Sequence, residues 1–391
     1  MSSGNTVVVI GGGGHVGLPL SIALANAGFE TWAYDISKTT VEKINKGVMP
    51  FLEEGAESAL SEALKIGKLK ATENPECILR ARFLIVVIGT PLDEDQNPSP
   101  NSVVDAIDEL LPFLNEGQIV ILRSTVYPGV VRKVHDLLTL RFPKIKLAFC
   151  PERIIEGQAL RELKTLPQII GAFDENSFLE AESLFASLNI ETIRLSPEEA
   201  ELAKLFTNAW RYIKFAAANQ FWMISNDLGV DFERLRTAIS YKYPRASDIP
   251  SAGFTAGPCL LKDTIQLSSF LNHNFTLGNA AISINEGGPK YLVEYLKNKY
   301  PLKDMTIGIL GMTFKANSDD IRGSLAFKLR KLLLSECKGV LTTDPYLKDS
   351  MHFDLSTVLD ESDLLIIGAP HSTYSELITQ KPVINIWGAF E

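Results

Sequence analysis

Hydrophobic residues in the first half of the chain form short runs that alternate with longer amphipathic stretches. The runs are rich in valine, isoleucine and aromatic residues, as in TVVVIG (6–11) and ETWAYD (30–35). Stretches between them, such as LPLSIALANAG (18–28), have helical spacing and end at a glycine. This alternation predicts βαβ units and a parallel sheet. Further strands are predicted over residues 82–91, 117–126, 146–152, 167–173 and 191–196.

The pattern changes at Ser196, which begins a long stretch without an internal glycine. Ser196 and Glu199 have capping-box spacing, Pro197 takes the first helical position, and Gly229 suits the C-terminal cap. The predicted helix is apolar on nearly every side between residues 210 and 222, which indicates burial on several sides. A helix of this kind joins two domains or packs against its copy in a dimer, and we expect a homodimer.

The last third of the chain predicts a second, shorter α/β unit. Residues 279–300 have a helical pattern that we expect to be interrupted at residues 287–289 (Gly-Gly-Pro). MTIGILGMTFK (305–315) then begins with a strand, and later strands are predicted at 341–345 and 364–370. The chain therefore contains two α/β units separated by helices.

Composition and charge narrow the class of protein. The chain has 391 residues, 46% of them hydrophobic and 22% charged, which predicts two or three globular domains. A net charge of -9 gives no basic surface for nucleic acid, so a phosphate group needs a local site. No apolar run approaches the roughly 18 residues of a membrane span, and the first residues lack a signal-peptide pattern. We expect a soluble, cytoplasmic protein.

The four cysteines, Cys77, Cys150, Cys259 and Cys337, are widely spaced and form no CxxC pair. This spacing argues against a zinc site or a disulfide scaffold. Cys259 lies in GPCLLKD, at the predicted start of a helix and close to a lysine. A thiol in such a setting has a lowered pKa and is a candidate nucleophile. The alternative is a small buried residue, as most cysteines outside disulfides are.

The first predicted strand leads into a glycine-rich turn. VVVIGGGGHVGLPL contains GxGxxG as Gly12, Gly14 and Gly17, and the additional Gly11 leaves the register open by one residue. Such glycines let backbone N–H groups approach a pyrophosphate at a helix N-terminus. Asp35, at the end of the next strand, would bind the adenosine ribose and repel a 2′-phosphate. The pattern predicts a site for NAD rather than NADP, with a structural turn as the alternative.

Polar residues follow three more predicted strands. Thr90 follows IVVIG, Thr125 follows VILRS, and Glu152 and Glu156 follow LAFC. Because ligands of open parallel sheets bind beyond the carboxyl ends of the strands, we expect these residues near a nucleotide. The alternative is that each of these residues caps a helix or stabilises a turn.

Two pairs of polar residues have helical i,i+4 spacing. Asp263 would lie on the same helix face as Cys259, and Asn208 on the same face as Lys204. Lys204 by itself can extend to solvent. Asn208 lies on an increasingly apolar helix, where an amide is costly unless it has a hydrogen-bond partner.

These motifs together resemble the UDP-glucose/GDP-mannose dehydrogenase family, whose members are four-electron nucleotide-sugar 6-dehydrogenases. The resemblance runs nearly end to end and includes seven motifs in order: GGGGHVGLP, GTP (89–91), STVYPG (124–129), CPERIIEG (150–157), AKLFTNA (203–209), GPCLLKD and GMTFKANSDDIRGS (311–324). It implies an α/β fold of two Rossmann-like nucleotide-binding domains joined by a long central helix that forms the dimer core. The implied boundaries are 1–195 for the NAD-binding domain, 196–300 for the central helical and dimerisation domain with the cysteine loop, and 301–391 for the UDP-sugar-binding domain.

The resemblance also implies residue roles, and it implies no metal ion. The catalytic set would be Cys259 as nucleophile with Lys204, Asn208, Asp263, Thr125 and Glu156. The NAD set would be Gly12, Gly14, His15, Val16, Gly17, Asp35, Thr90, Thr125, Glu156, Lys262 and Arg322. The substrate set would be Glu152, Arg153, Ile154, Lys204, Asn208, Arg245, Gly257 and Lys315.

The implied reaction converts the C6 hydroxymethyl group of a UDP-sugar to a carboxylate, which suits precursors of surface polysaccharides. One NAD takes a hydride from C6, the thiolate adds to the aldehyde, a second NAD takes a hydride, and water hydrolyses the thioester. Two other interpretations stay open. A one-step β-hydroxyacid dehydrogenase would need neither the cysteine nor residues 305–391, and a non-catalytic nucleotide-sugar sensor would not need the Cys259, Lys204, Asn208 and Asp263 set.

Two departures from the family pattern bear on the sugar. Ala256 stands where a second glycine is commoner, and Pro258 where a small or basic residue is commoner. The loop YKYPRASDIPSAG (241–253) differs from that of the usual UDP-glucose enzymes, which favours an N-acetylated UDP-hexose. UDP-glucose, UDP-N-acetylglucosamine, UDP-N-acetylgalactosamine, UDP-N-acetylmannosamine and GDP-mannose all stay open at this point.

Overall fold

The structure is a computed structural model that describes residues 5–94, 97–255, 257–347 and 352–388. The chain divides into two compact units, residues 1–206 and 207–391. Ala256, one of the departures from the family pattern, lies outside the described residues.

Within the described residues of the first unit, eight strands form one sheet in the order β3-β2-β1-β4-β5-β6-β7-β8. The pairs are parallel except for β6 and β7, which run antiparallel, so the expected parallel sheet has one reversed junction. The strands are β1 Thr6–Ile10, β2 Glu30–Tyr34, β3 Leu69–Thr72, β4 Phe83–Val86, β5 Ile119–Leu122, β6 Lys146–Phe149, β7 Gln168–Ala172 and β8 Thr192–Leu195.

Helices cover both faces of this sheet, which is why its central strands are apolar throughout. Every residue of β1 is buried, and separate hydrophobic clusters fill the two faces. The helices are α1 Gly17–Asn26, α2 Lys38–Asn45, α3 Ala56–Lys65, α4 Ser102–Leu110, α5 Val130–Arg141, α6 Ala159–Glu162 and α7 Glu175–Ala186.

The long helix α8, Pro197–Asp227, begins as the sequence predicts. The backbone N–H of Glu199 donates to the hydroxyl of Ser196 at 3.3 Å, and the Glu199 carboxylate accepts the Ser196 N–H at 2.8 Å, which completes a capping box. Glu201 in turn accepts the backbone N–H of Gly129 at 2.7 Å and that of Val131 at 2.8 Å, at the start of α5. The first turns of α8 are thus fixed to the first unit by backbone groups.

The middle of α8 is not enclosed by the chain itself. The side chains of Trp210, Phe221 and Ile224 are 56%, 48% and 53% exposed. The expectation that this part of the helix is buried on several sides is therefore wrong for the single chain.

The second unit contains a four-stranded parallel sheet and the remaining helices, among the residues described. The sheet has the order β10-β9-β11-β12, with β9 Thr306–Leu310, β10 Gly339–Thr343, β11 Leu364–Ile367 and β12 Val383–Ile384. The helices are α9 Phe232–Ser240, α10 Leu260–Phe270, α11 Thr276–Lys299, α12 Leu325–Glu336 and α13 Leu355–Glu361. None of the described helices is both long and apolar enough to cross a membrane.

Helix α11 is continuous, so the interruption expected at residues 287–289 is wrong. Pro289 lies buried inside the helix and removes one backbone donor. The helix persists because it packs against both α10 and α12, and tertiary packing of this kind outweighs the roughly 3 kcal/mol cost of an internal proline. Strands β3 and β12 are short and were not predicted from the sequence.

Candidate active site

The glycine turn after β1 has no room for a Cβ at four of its positions, Gly11, Gly12, Gly13 and Gly17. A Cβ at Gly12 would lie 2.6 Å from the Cα of Ala33, and one at Gly17 would collide with the carbonyl of Gly11. Gly11 adopts a φ of +73°, while a Cβ at Gly14 would meet only the Gly11 carbonyl oxygen, at 3.5 Å. Backbone therefore passes close to backbone at Gly11, Gly12 and Gly17, and Gly14 is the glycine of this turn that remains open to a phosphate.

Asp35 lies directly after β2 and faces the same turn. Its Oδ2 accepts the backbone N–H of Gly13 at 3.0 Å, and its Oδ1 accepts that of Ser37 at 2.9 Å. The carboxylate is therefore held in place beside the glycine turn. This is the position from which an acid binds ribose hydroxyls.

His15 and Glu156, two of the sequence candidates, are in contact. The Nδ1 atom of His15 lies 2.7 Å from Oε1 of Glu156, and the imidazole stacks on Phe51 with ring centroids 4.0 Å apart. His15 stands between Gly14 and Val16, the N-cap residue of α1. The contact brings the loop after β6 to the glycine turn.

The ends of β4 and β5 are joined through the Thr90 and Thr125 segments. The hydroxyl of Thr90 donates to the backbone carbonyl of Thr125 at 2.8 Å. The hydroxyl of Ser124 accepts the backbone N–H of Ile88 at 2.8 Å. The strand-end residues therefore lie together at the carboxyl edge of the sheet, as expected for ligand-binding loops.

Glu152 is held by donors on both of its oxygens. Oε1 accepts the backbone N–H of Arg153 at 2.7 Å and that of Ile154 at 2.8 Å, while Oε2 is paired with the guanidinium of Arg123. Arg123 is buried and also donates to the side chain of Gln168 at 2.7 Å. Burial lowers the pKa of Arg123 to about 10, which still leaves it charged at neutral pH. No sequence pattern points to Arg123, which lies within an apolar strand pattern.

Lys204 and Asn208 lie one turn apart on α8, and both side chains are buried. Lys204 is only 8% exposed, so it does not extend into solvent as a surface lysine would. The Nδ2 atom of Asn208 donates to Oδ2 of Asp263 at 2.6 Å. Asn208 thus has the partner that its apolar surroundings require.

Cys259 occupies the N-cap position of α10, and its side chain is exposed. In the first turn of α10, the backbone N–H of Asp263 donates to the carbonyl of Cys259 at 3.0 Å. The Asp263 side chain has no exposed surface, and the Nζ of Lys262 lies 3.2 Å from its Oδ1. An accessible thiol, a buried carboxylate, an ammonium and an amide are therefore gathered at one helix start. Such a set can serve nucleophilic catalysis and proton transfer.

The loop after β9 packs against the backbone that precedes Cys259. Gly257 has a φ of +103°, and a Cβ there would lie 2.7 Å from the ring of Phe314. The ammonium of Lys315 lies 5.4 Å from the centre of the same ring. Gly257 therefore permits a close approach that any other residue would prevent.

Two predicted arginines contact residues close to them in sequence. Arg322 forms an ion pair with Asp320, in which Nη2 and Oδ2 are 2.7 Å apart. Arg245 lies in a short 3₁₀ turn, Pro244–Ala246, and its Nε donates to the hydroxyl of Tyr243 at 2.9 Å. The assignment of these residues to NAD and to substrate stays a prediction.

Comparison with known protein families agrees with this arrangement. Three family models cover the chain in order: the NAD binding domain of the UDP-glucose/GDP-mannose dehydrogenase family over residues 5–189, its central domain over 198–287 and its UDP binding domain over 308–390. The chain belongs to the UDP-glucose/GDP-mannose dehydrogenase family. It is accordingly an NAD-dependent nucleotide-sugar dehydrogenase, which confirms the cofactor and the fold expected from the sequence.

Individual relatives are similar over nearly their whole length. A UDP-N-acetyl-D-mannosamine dehydrogenase from Pyrococcus horikoshii is 31% identical over 383 residues, which cover 95% of this chain and 90% of the relative. An NDP-N-acetyl-D-galactosaminuronic acid dehydrogenase from Ralstonia nicotianae is 27% identical over 398 residues, covering 96% and 93%. The solved structure of a UDP-glucose dehydrogenase from Pyrobaculum islandicum has a TM-score of 0.88 at 28% identity, covering 98% of this chain and 94% of that chain.

Family membership gives the glycine turn and Asp35 a ligand that fits them. NAD carries a pyrophosphate, which the open position at Gly14 would accommodate, and ribose hydroxyls, which could donate to the carboxylate of Asp35. No local motif distinguishes Arg123, Asp344 or His371, although each makes several buried polar contacts. Only the partners supplied by the fold identify them.

Proposed function

We propose that this dehydrogenase oxidises the C6 hydroxymethyl group of a UDP-N-acetylhexosamine to the uronic acid in two steps. The observation that carries the proposal is the exposed thiol of Cys259 at the start of α10, in the same helix turn as the buried Asp263, which is bonded to Asn208 and paired with the partly buried Lys262. A one-step dehydrogenase has no use for such a nucleophile. When bound, NAD supplies the hydride acceptor for each oxidation.

Cys259 would act through its thiolate. The sulfur adds to the C6 aldehyde to form a thiohemiacetal, and loss of a hydride from that carbon leaves a thioester. Water then attacks the thioester, which releases the carboxylate and restores the thiol. The covalent bond prevents the aldehyde from escaping between the two oxidations.

Residues on α8 and α10 would stabilise the negative charge of the intermediate and transfer protons. Lys204 and Asn208 would donate to the oxyanion of the tetrahedral species, a role worth roughly 3 kcal/mol per donor. An amide has two N–H donors, so Asn208 keeps one after its bond to Asp263. Asp263 would accept the proton of the attacking water, and Thr125 and Glu156 would help to orient water and cofactor.

The proposed ligand sets follow the loops described above. NAD would contact Gly12, Gly14, Gly17 and the neighbouring His15 and Val16 at the pyrophosphate, Asp35 at the ribose, and Thr90, Thr125, Glu156, Lys262 and Arg322 elsewhere. The nucleotide-sugar would contact Glu152, Arg153, Ile154, Arg245, Gly257 and Lys315, in addition to Lys204 and Asn208.

An N-acetylated sugar is supported by the relatives rather than by the fold. The Pyrococcus and Ralstonia relatives carry names that specify N-acetylated sugars. The UDP-glucose dehydrogenase of Pyrobaculum islandicum has nearly the same fold, so the fold itself is compatible with either class. The loop of residues 241–253 is the sequence feature that favours the N-acetylated class. The product would be a precursor for surface polysaccharide, made in the cytoplasm.

We also infer three domains, residues 1–195, 196–300 and 301–391, and a homodimer built on α8. Trp210, Ile213, Ala217, Phe221 and Ile224 follow one another at intervals of three and four residues, which puts them on one helix face. Most of these side chains are exposed in the single chain. A second copy of α8 would cover this apolar stripe.

NADH counting with a panel of donors tests the proposal. UDP-N-acetylmannosamine, UDP-N-acetylgalactosamine, UDP-N-acetylglucosamine, UDP-glucose and GDP-mannose are each supplied in limiting amount with excess NAD. We expect two NADH per sugar with an N-acetylated UDP-hexose. One NADH per molecule would support a one-step dehydrogenase, and no turnover with any donor would support a sensor.

A further inference from the structure

A buried histidine–carboxylate pair supports the loop that follows β9. The Nε2 atom of the fully buried His371 lies 3.1 Å from Oδ2 of Asp344, which follows β10. The same oxygen accepts the backbone N–H of Met312 at 2.7 Å and that of Thr313 at 3.3 Å. Burial by itself would raise the pKa of Asp344, but the hydrogen bonds from His371 and from backbone N–H groups outweigh it and lower the pKa. The carboxylate is therefore a permanent acceptor for this loop at neutral pH.

The other ring nitrogen of His371 holds the far side of the loop. Nδ1 accepts the backbone N–H of Asn317 at 2.9 Å, so it carries no proton, and the ring proton lies on Nε2 facing Asp344. The hydroxyl of Thr313 lies 3.2 Å from Nε2 and donates to the carbonyl of Lys315 at 2.9 Å. The backbone is thus fixed on both sides of Lys315.

Asn317 closes the loop onto the segment that carries His371. Its φ of 51° is left-handed, a conformation that asparagine tolerates better than most residues. Its Oδ1 accepts both the backbone N–H and the hydroxyl of Ser372, each at 3.0 Å. Residues 312–317 are therefore tied at both ends to the two strand ends beside them.

This loop reaches the cysteine segment through Phe314. The ring of Phe314 lies against the α-carbon of Gly257, two residues before Cys259. One loop therefore both presents Lys315 and supports the backbone that leads to the nucleophile.

We propose that His371, as the neutral tautomer protonated on Nε2, is a positioning residue that fixes loop 312–317, and with it Lys315 and Phe314. The side-chain hydrogen-bond partners described for His371 are Asp344, Thr313 and the backbone N–H of Asn317, so His371 acts through the loop. The hydrogen bonds that His371 and Asp344 make to this loop are buried or partly buried, so losing the histidine leaves several polar groups unsatisfied at once and releases the loop. The choice of UDP as the ligand of Lys315 rests on the proposed function, whereas the ordering of the loop does not.

The test compares variants of His371 with a control of the same unit. His371→Ala removes both contacts, His371→Asn keeps an acceptor near the position of Nδ1, and His371→Gln keeps a donor near that of Nε2. Leu333→Ala, in the buried core on α12, lowers stability but removes none of the hydrogen bonds described for the loop. Two quantities are measured on the full-length protein: UDP affinity by calorimetry, and amide hydrogen exchange of peptides covering residues 311–324 without ligand.

We expect His371→Ala to weaken UDP binding at least tenfold and to speed exchange in residues 311–324 at least tenfold. Leu333→Ala should leave the UDP affinity and the exchange rate within twofold of wild type, although its Tm falls by about as much as that of His371→Ala. His371→Asn and His371→Gln should each restore part of the protection, and NAD affinity should be unchanged in all of them. In turnover, KM for the sugar should rise while KM for NAD stays constant.

The outcomes separate this inference from the proposed function. Wild-type protein that binds no UDP and no UDP-sugar contradicts the proposed function, while the exchange measurement still decides the role of His371. Equal exchange in His371→Ala and Leu333→Ala overturns the positioning role. If His371→Ala does not fold, Thr313→Val and His371→Gln take its place, and unchanged exchange in both of those overturns the role equally.

Discussion

Asn208 on α8 donates to the carboxylate of Asp263 on α10 at a distance of 2.6 Å, and both side chains are buried. The bond lies one helical turn beyond the exposed thiol of Cys259. A buried carboxylate without donors is strongly disfavoured, so the amide and the nearby ammonium of Lys262 together make this acid tolerable. The hydrogen bond between Asn208 and Asp263, next to the nucleophile, therefore also links α8 to α10.

Asn208→Leu keeps the size of the side chain and removes the donor. We expect the free energy of unfolding to fall by about 1–3 kcal/mol, because one oxygen of Asp263 loses its partner, and kcat to fall at least about 100-fold with an oxyanion donor removed. Urea unfolding and steady-state NADH production measure the two effects. Thr207→Val, at an exposed position of the same helix, should change neither. If Asn208→Leu had the kcat of the wild type, Asn208 would not be an oxyanion donor in the mechanism.

Cys259→Ala should abolish steady-state NADH production while NAD and the UDP-sugar still bind. The sulfur is the proposed covalent anchor for the aldehyde, whereas its loss from an exposed position leaves no cavity. A slow single turnover to the aldehyde is compatible with this mechanism, because the first hydride transfer does not require the thiolate. NADH production is followed beside a thermal melt, with Cys337→Ala as the control that keeps both. Turnover of Cys259→Ala within a few-fold of wild type would show that the cysteine is structural.

Alkylation at pH 7 should modify Cys259 before the other three cysteines. Burial raises the pKa of Cys77 to about 11 and that of Cys150 to about 12, and burial together with the charge of Glu336 raises the pKa of Cys337 to about 11. At pH 7 a thiol with a pKa near 11 is thiolate in only about one molecule in ten thousand. Peptide mass spectrometry after one equivalent of iodoacetamide measures the distribution. Equal labelling of Cys77 or Cys337 would contradict this order.

Asp35 should make the enzyme prefer NAD to NADP by at least about 100-fold in kcat/KM, because its carboxylate would meet the 2′-phosphate with like charge. Asp35→Asn removes the charge and keeps an acceptor oxygen for only one of the two backbone N–H groups, that of Gly13 or that of Ser37. We expect this variant to reduce the preference for NAD over NADP at least tenfold and to lower the free energy of unfolding by about 1 kcal/mol, because one N–H loses its acceptor. Equal kcat/KM for the two cofactors in the wild type would contradict the role of Asp35.

Trp210→Glu should convert the expected dimer into a monomer at micromolar concentration. The indole is 56% exposed in the single chain and lies in the apolar stripe of α8, so a charge there would be buried without a partner in the dimer. Light scattering coupled to size exclusion measures the mass. Leu140→Glu replaces another exposed apolar residue, 87% exposed on α5, and should leave the dimer intact. A monomeric wild type would exclude an interface on this stripe.

The sequence by itself determined the features that depend on neighbours within a few residues. The capping box of Ser196 and Glu199, the helix start at Cys259 and the alternation of strands and helices are local, so periodicity and cap chemistry predict them. The glycine turn belongs to this group too, since its backbone path follows from the missing side chains at Gly12 and Gly17.

Only the tertiary structure decided which distant polar groups meet. Asn208 pairs with a residue 55 positions away, Arg123 with Glu152 at 29 positions, and His371 with Asp344 at 27 positions, separations at which local patterns carry no information. The continuity of α11 through Pro289 likewise results from packing that overrides local preference. A polar residue in an apolar sequence pattern indicates that its side chain needs a hydrogen-bond partner, because burying a polar group without one is costly. The path of the backbone determines which residue becomes that partner, since only the fold brings the two side chains together.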